Sequence, residues 1–116
     1  MDNSTGTSGL AQLRKAVIQQ KAASLPDDID DPVFRSLHQI VVEYDQFVSQ
    51  MVIAVLSGEK RTSSYPHRTL VVTAIEAAET IADSKQQRKV DQYRNYIQRL
   101  DHMHDLALQV SAGDQD

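Results

Sequence analysis

The sequence contains no cysteine and no tryptophan, and it has only three prolines and four glycines in 116 residues. The absence of cysteine excludes disulfides, thiolate nucleophiles and cysteine-ligated zinc sites. It also fits a reducing compartment, so we expect a cytoplasmic protein. Scarce glycine and proline, together with abundant alanine, glutamine and leucine, favour helices over a sheet, because a sheet needs frequent turns.

Long apolar runs and an excess of positive charge are also missing. The longest wholly apolar run is Met51–Leu56, which is far shorter than the roughly 20 residues of a membrane span. Sixteen acidic and twelve basic residues give a net charge of −4, which disfavours non-specific binding to nucleic acid or anionic membranes. Residues 1–9 have no basic or apolar region, so they predict no standard signal peptide. Type III secretion substrates begin with a polar segment of this kind, which leaves that route open.

The strongest positive signal is a seam of apolar residues whose spacing alternates between four and three. This spacing keeps one face of a helix against a partner, and a second stripe repeating every seven residues widens that face. The pattern predicts a long helix over 32–57, with Asp31 as its N-cap, Pro32 at its first position and Gly58 as its stop. The seam comprises Val33, Leu37, Ile40, Tyr44, Phe47, Met51 and Ala54, and the second stripe comprises Phe34, Val41, Val48 and Val55.

Shorter apolar patterns predict three further helices, over 9–23, 66–83 and 85–111. The pattern over 66–83 follows Leu70, Val71, Ala74, Ile75, Ala78, Ile81 and Ala82. Between the last two helices the sequence permits either a continuous helix or a break near residue 84, and we favour the break. Two capping boxes would support it, Asp83 with Gln86 or Ser84 with Gln87. We expect disordered tails at 1–8 and 112–116, and one helical domain over 9–111.

These elements predict an all-α fold, a small antiparallel hairpin or bundle of about four helices, with the second helix antiparallel to the third and fourth. The second helix offers more apolar surface than its short neighbours can cover, particularly at Met51–Leu56, which should be buried on every side. We therefore expect a homodimer, the commonest assembly of small helical proteins. The residues assigned to the seam of the core and dimer are Leu37, Ile40, Tyr44, Phe47, Val48 and Met51.

Residues 101–105 (Asp-His-Met-His-Asp) are the best candidate for a metal site. On a helix His102 and His104 point about 200° apart, so each usable acid–histidine pair supplies two ligands, whereas zinc needs three or four. A Ser-x-x-Lys spacing at Ser57 and Lys60 lies at a helix end in a chain too short for a serine acylase. His38 and His67 lack the residues that follow a phosphotransfer histidine. We therefore expect no catalytic residue, cofactor or metal.

Two basic clusters remain, one in the 60–68 loop and one along the last helix, where Tyr93 and Tyr96 are interleaved. In size and helix layout alone the chain looks like small helical regulators that occupy another protein's surface, such as quorum-sensing antiactivators and secretion chaperones. We expect a non-enzymatic regulator or adaptor that binds another protein. The alternative is a nucleic-acid-binding transcriptional regulator using the same basic residues. The predicted partner-binding residues are Arg61, Arg68, Arg88, Tyr96 and Arg99.

Overall fold

The computed structural model describes residues 9–21, 23–26, 29–59 and 62–112, and within them it contains helices and no strand. The predicted all-α class is therefore confirmed, and each helix end lies within two residues of its predicted position. The expected tail at 1–8 lies outside the described residues, as does that at 112–116 apart from Ala112. The four helices are α1 (Gly9–Lys21), α2 (Pro32–Leu56), α3 (Arg68–Ile81) and α4 (Ser84–Ser111).

Both ends of α2 have the local structure that their residues predict. The Asp31 side chain accepts a hydrogen bond from the backbone N–H of Val33 at 2.8 Å, and Pro32 occupies the first helical position. This arrangement satisfies an orphan amide at the start of the helix. Beyond the other end, Gly58 has a φ of +88°, a conformation that strains residues with a side chain.

A break separates α3 from α4, as favoured from the sequence. Ala82 leaves the helical conformation, with φ −69° and ψ 130°. Asp83 then caps α4, because its carboxylate accepts a hydrogen bond from the Gln86 N–H at 2.8 Å. The Gln86 side chain returns a bond to the Asp83 N–H at 3.1 Å. The capping box that forms is therefore Asp83 with Gln86.

The long helices α2 and α4 lie parallel to each other. His38 contacts Tyr93, and further along both helices Phe47 contacts His104. The predicted antiparallel packing of α2 against α4 is therefore wrong. The α3 helix reverses direction after α2, and α4 reverses it again, which restores the original direction.

The two short helices lie antiparallel to α4. Arg68 at the start of α3 bonds Asp101, and Glu79 near its end bonds Arg94. The α1 helix packs mainly on α4, where Gly9 lies beside Val110. The described molecule is elongated, about 50 × 26 × 19 Å.

The core follows the second apolar stripe of α2 more closely than the first. All four residues of the second stripe are buried, as are Leu37, Tyr44 and Met51 of the first. Ile40 and Phe47 are only half-buried. The expectation that the end of α2 is buried on every side does not hold within one chain, because Ile53 is 64% exposed.

On α3 the buried residues are Val71, Ile75 and Ala78. Leu70 and Ile81 were also predicted for this packed face, but they are 51% and 45% exposed. The prediction failed because it combined two neighbouring stripes of one helix, and only one of them faces the core.

Candidate functional site: an aromatic and charged cluster between α2, α3 and α4

A charged pair joins the start of α3 to the middle of α4. The Nε and Nη2 atoms of Arg68 donate hydrogen bonds to the two carboxylate oxygens of Asp101, at 3.0 and 2.7 Å. The hydroxyl of Tyr44 in α2 also donates to Asp101. In addition, the Arg68 guanidinium lies 5.6 Å from the centroid of the Tyr44 ring. These three side chains therefore connect three helices at one level of the bundle.

The surroundings raise the pKa of both Arg68 and Tyr44. The hydrogen bond to Asp101 raises the pKa of Arg68, so its guanidinium remains charged. Burial raises the pKa of Tyr44 well above its ordinary value, and the bond to Asp101 raises it further. Tyr44 is thus a neutral hydrogen-bond donor at neutral pH. The arrangement suits a structural clamp better than an acid–base catalyst, whose pKa lies near the working pH.

Aromatic side chains extend this cluster to the segment before α3. The Tyr65 ring stacks on Tyr44 with centroids 5.0 Å apart, and it lies 4.9 Å from the Phe47 ring. His104 lies 6.3 Å from Phe47, and its Nε2 atom is 3.1 Å from the carbonyl oxygen of Ser63. These contacts hold residues 63–65 against both long helices. They leave an open cavity of about 350 Å³ beside Tyr65 and Asp105.

Two more tyrosines connect the parallel helices α2 and α4. The Tyr96 hydroxyl donates to Asp45, which also accepts a bond from Ser49 at 2.8 Å. The Tyr93 hydroxyl lies 2.9 Å from Nδ1 of His38. Burial raises the pKa of both Tyr93 and Tyr96 to about 12, and the bond to Asp45 contributes to the shift at Tyr96. All four tyrosines of the chain are therefore built into helix contacts.

Three of the five predicted partner-binding residues make contacts within their own chain. Arg68 and Tyr96 belong to the contacts just described, and Arg99 donates to the carbonyl oxygen of Gln19 at 3.0 Å. Arg88 is exposed on α4. Arg61 lies outside the described residues.

Sequence reasoning missed the roles of Asp45, Tyr65 and Asp101. Asp101 was considered only as a metal ligand, yet its partner Arg68 is 33 positions away in the sequence. No local spacing indicates such a pair. The one available signal was a tyrosine on the packed seam, because a buried hydroxyl needs a hydrogen-bond partner.

The exposed large apolar side chains mark a different part of the surface. Leu70 and Ile81 lie eleven residues apart on α3, with exposed Ala77 between them. Ala77 follows Leu70 by seven residues, and Ile81 follows Ala77 by four. All three therefore lie on one face of the helix, over roughly 16 Å. We call this set the α3 stripe. Among the residues that the structure describes, the other exposed large apolar side chains are Ile18, Ile53 and Val72.

Within the described ranges, no group of three or more histidine, aspartate or glutamate side chains is placed to hold a metal ion. Among the described helices, none combines the length and the apolar content needed to cross a membrane. Comparison of the chain with protein-family models, with curated proteins and with solved structures finds no significant match.

Proposed function

We propose that this protein is a non-enzymatic regulator or adaptor that acts in the cytoplasm by binding another protein. The observation that carries the proposal is the α3 stripe, where Leu70, Ala77 and Ile81 present an apolar face to solvent. Apolar residues spaced at seven and four on one helix are the anchors by which helices bind each other. The small Ala77 between two larger residues allows close approach of a partner.

The charged side chains support this choice of surface. Arg68 and Arg99 already bond atoms of their own chain, so a partner would compete with those bonds. Arg88 is exposed and could contribute at the rim. The apolar stripe therefore supplies the binding energy in this proposal, and Arg88 supplies orientation.

The test is a comparison of two variants in extract of the native host. Tagged wild-type protein should retain one partner in stoichiometric amount, identified by mass spectrometry. The double variant Leu70→Ser/Ile81→Ser should lose that partner, whereas Ile18→Ser, which alters a still more exposed isoleucine on α1, should keep it. Retention of the partner by the double variant would move the binding surface elsewhere. The absence of any stoichiometric partner would contradict the proposal.

A nucleic-acid-binding regulator is the second candidate, because Lys85 and Arg88 are exposed on the first turns of α4. Such binding would depend steeply on salt concentration. Tight, sequence-selective binding of DNA or RNA that is lost in Arg88→Ala would favour this candidate over the first.

We further propose that the chain forms a homodimer through the end of α2. Ile53 is 64% exposed there, and the half-buried Phe47 and Ala54 line an open groove of about 410 Å³ beside it. A second copy would cover these apolar residues, which the chain's own helices leave open to solvent.

A further inference from the structure

The α1 helix differs from the other three helices in its charge. It contains three basic residues, Arg14, Lys15 and Lys21, and no acidic residue. Each of the other helices carries acidic residues, and the chain as a whole has a net charge of −4. The α1 helix is therefore a positively charged element on a negatively charged protein.

The three basic residues surround an exposed apolar side chain. Ile18 is 70% exposed. Arg14 and Lys15 precede it by four and three residues, and Lys21 follows it by three. Residues at these separations are neighbours on a helix surface, so all four share the outer side of α1. The three basic side chains are also exposed, and we call the four residues the α1 basic face.

The charges of this face are not neutralised within the chain. Among the described residues, none of the three basic side chains forms an ion pair or a hydrogen bond. Arg68 and Arg94, in contrast, are each paired with a carboxylate. Lys21 suits the negative end of the helix dipole, but Arg14 and Lys15 lie further from that end. Their charges are available to a partner.

The inner side of α1 holds the basic face in a fixed orientation. Leu13 is completely buried and Ala16 is 6% exposed where α1 packs on α4. Leu25 and Ile29, in the segment that follows α1, also pack against the core. A partner therefore meets an arrangement of side chains on a helix that is already ordered, which lowers the entropy cost of binding.

A polar groove adjoins the basic face on the α4 side. It is open, with a volume of about 400 Å³, and none of the described residues that line it is acidic. The Arg99 guanidinium and the amide side chains supply N–H donors, which suit a carboxylate. The lining residues are Ala16, Gln19, Asn95, Gln98, Arg99 and His102.

We propose that the α1 basic face and this groove form a binding site for an acidic helical segment of another protein. One apolar side chain of the segment packs on Ile18, its carboxylates pair with Arg14 and Lys15, and a further carboxylate reaches Arg99 in the groove. Exposed charge pairs contribute little each and are screened by salt, so the binding is weak and salt-sensitive. Such a segment dissociates during affinity purification, so retention in host extract reports the α3 stripe alone.

The extent of the site favours a short acidic segment over nucleic acid or a membrane. The basic face is only about 10 Å long. Asp91 lies four residues before Asn95, and Asp105 lies three residues after His102, so exposed carboxylates flank the groove at both ends. They would repel an extended row of phosphates. A membrane-surface helix needs a wide exposed apolar face, whereas that of α1 is turned towards α4.

The test uses the full chain and two fluorescent helical peptides. In one peptide a leucine has glutamates three and four residues to either side, with alanine elsewhere, and in the other peptide glutamine replaces every glutamate. At about 0.02 M salt the glutamate peptide should bind at least about tenfold more tightly than the glutamine peptide, as measured by fluorescence anisotropy. Its affinity should fall at least about tenfold at about 0.2 M salt. Equal affinities, or no binding of the glutamate peptide, would overturn the proposal.

A charge-matched pair of variants locates the site. Arg14→Gln/Lys15→Gln should weaken binding of the glutamate peptide at least about fivefold at about 0.1 M salt. Lys85→Gln/Arg88→Gln removes the same charge from exposed positions at the other end of α4, and it should change the affinity less than about twofold. Glutamine preserves helix propensity, which circular dichroism checks. Equal losses in the two variants would overturn the proposal.

Two further variants separate the apolar contact from the α3 stripe. Ile18→Ala should weaken binding at least about threefold without changing its salt dependence, because it removes apolar area and no charge. Unchanged affinity would contradict packing on Ile18. Leu70→Ser/Ile81→Ser should bind the glutamate peptide as the wild type does, so this proposal and the proposed function can fail independently.

The competing ligands are tested with the same variants. A DNA duplex and phosphatidylglycerol vesicles should bind the wild-type chain more weakly than the glutamate peptide, because the chain is acidic outside α1. Tighter binding of either ligand, lost in Arg14→Gln/Lys15→Gln, would overturn the proposal and assign the α1 basic face to that ligand.

Discussion

Arg68, the first residue of α3, forms a two-pronged ion pair with Asp101 in the middle of α4. Both side chains are 36% exposed, so the pair lies at the edge of the core. Tyr44 adds a third bond from α2. The pair therefore sets the position along both long helices at which α3 begins, a position that the apolar pattern of α3 alone leaves undetermined.

We expect Asp101→Asn to lower the free energy of unfolding by about 1–2 kcal/mol, because it leaves the Arg68 charge without its partner. Solvent screening of the partly exposed pair keeps the loss below that of a fully buried one. Asp105→Asn is the matched control on the same helix, since its side chain is 73% exposed. It should change stability by less than about 0.5 kcal/mol. Urea unfolding followed by circular dichroism gives both values, and equal losses would contradict a specific role for Asp101.

Two leucines test the distinction between the core and the α3 stripe. Leu100 is completely buried, whereas Leu70 is 51% exposed. We expect Leu100→Ala to cost about 2–5 kcal/mol, because it removes packed side-chain volume from the core. Leu70→Ala should cost less than about 1 kcal/mol. Thermal unfolding of the two variants measures the difference, and similar losses would mean that Leu70 is packed within the folded chain.

The parts of the fold that depend on local sequence could be predicted, whereas those that depend on distant pairs could not. The ends of α2 follow from Asp31, Pro32 and Gly58, whose effects act within one helical turn. The break between α3 and α4 follows similarly from Asp83 and Gln86. In contrast, the hydrogen-bond partner of each tyrosine hydroxyl depends on how the helices pack. The apolar periodicity of a helix predicts which face is buried, but it does not predict which other helix covers that face.

The error in the stripes has a similar cause. The first and second stripes of α2 are neighbouring faces of one helix, and both satisfy a heptad spacing. The positions of the helices packed on α2, which are α3 and α4, decide that Val41 and Val48 are fully buried while Ile40 and Phe47 are half-buried. The candidate site was less predictable still, because Arg68, Tyr44 and Asp101 come from three helices.

The cap of α4 offers a third test. Asp83→Ala should lower stability by about 1 kcal/mol, because it removes the acceptor for the Gln86 N–H. Asp83→Asn should keep most of that stability, since asparagine also caps helices well. Ser84→Ala is the control, because the alternative box of Ser84 with Gln87 does not form. If Ser84→Ala lost as much stability as Asp83→Ala, the specific role of Asp83 as the cap of α4 would be contradicted.

The proposed dimer is tested by Ile53→Asp. Ile53 is exposed within one chain, so a charge there should leave the monomer folded while disfavouring burial between two copies. Light scattering at tens of micromolar should give a dimer for the wild type and a folded monomer for the variant. Val48→Asp should instead unfold the chain, because Val48 is completely buried. A strictly monomeric wild type would refute the dimer.

The tyrosines predict how stability depends on alkaline pH. Burial raises the pKa of Tyr93 and Tyr96 to about 12 from an ordinary value near 10, because it disfavours the phenolate. The folded state therefore binds protons more tightly than the unfolded state above pH 10. The stabilising contribution is complete below pH 10 and is lost as the pH rises towards 12.

Absorbance of the phenolate near 295 nm, recorded together with circular dichroism, should show that Tyr93 and Tyr96 ionise well above pH 10 in the folded protein and that their ionisation is coupled to unfolding. Tyr96→Phe removes one of these groups, while Ser49 continues to donate to Asp45. Between pH 10 and 12 the free energy of unfolding should fall less steeply with pH for this variant than for the wild type. The slope is proportional to the number of protons by which the folded and unfolded states differ, and the variant has one such proton fewer. Ionisation of every tyrosine near pH 10 without unfolding would show that the hydroxyls are not held between the helices.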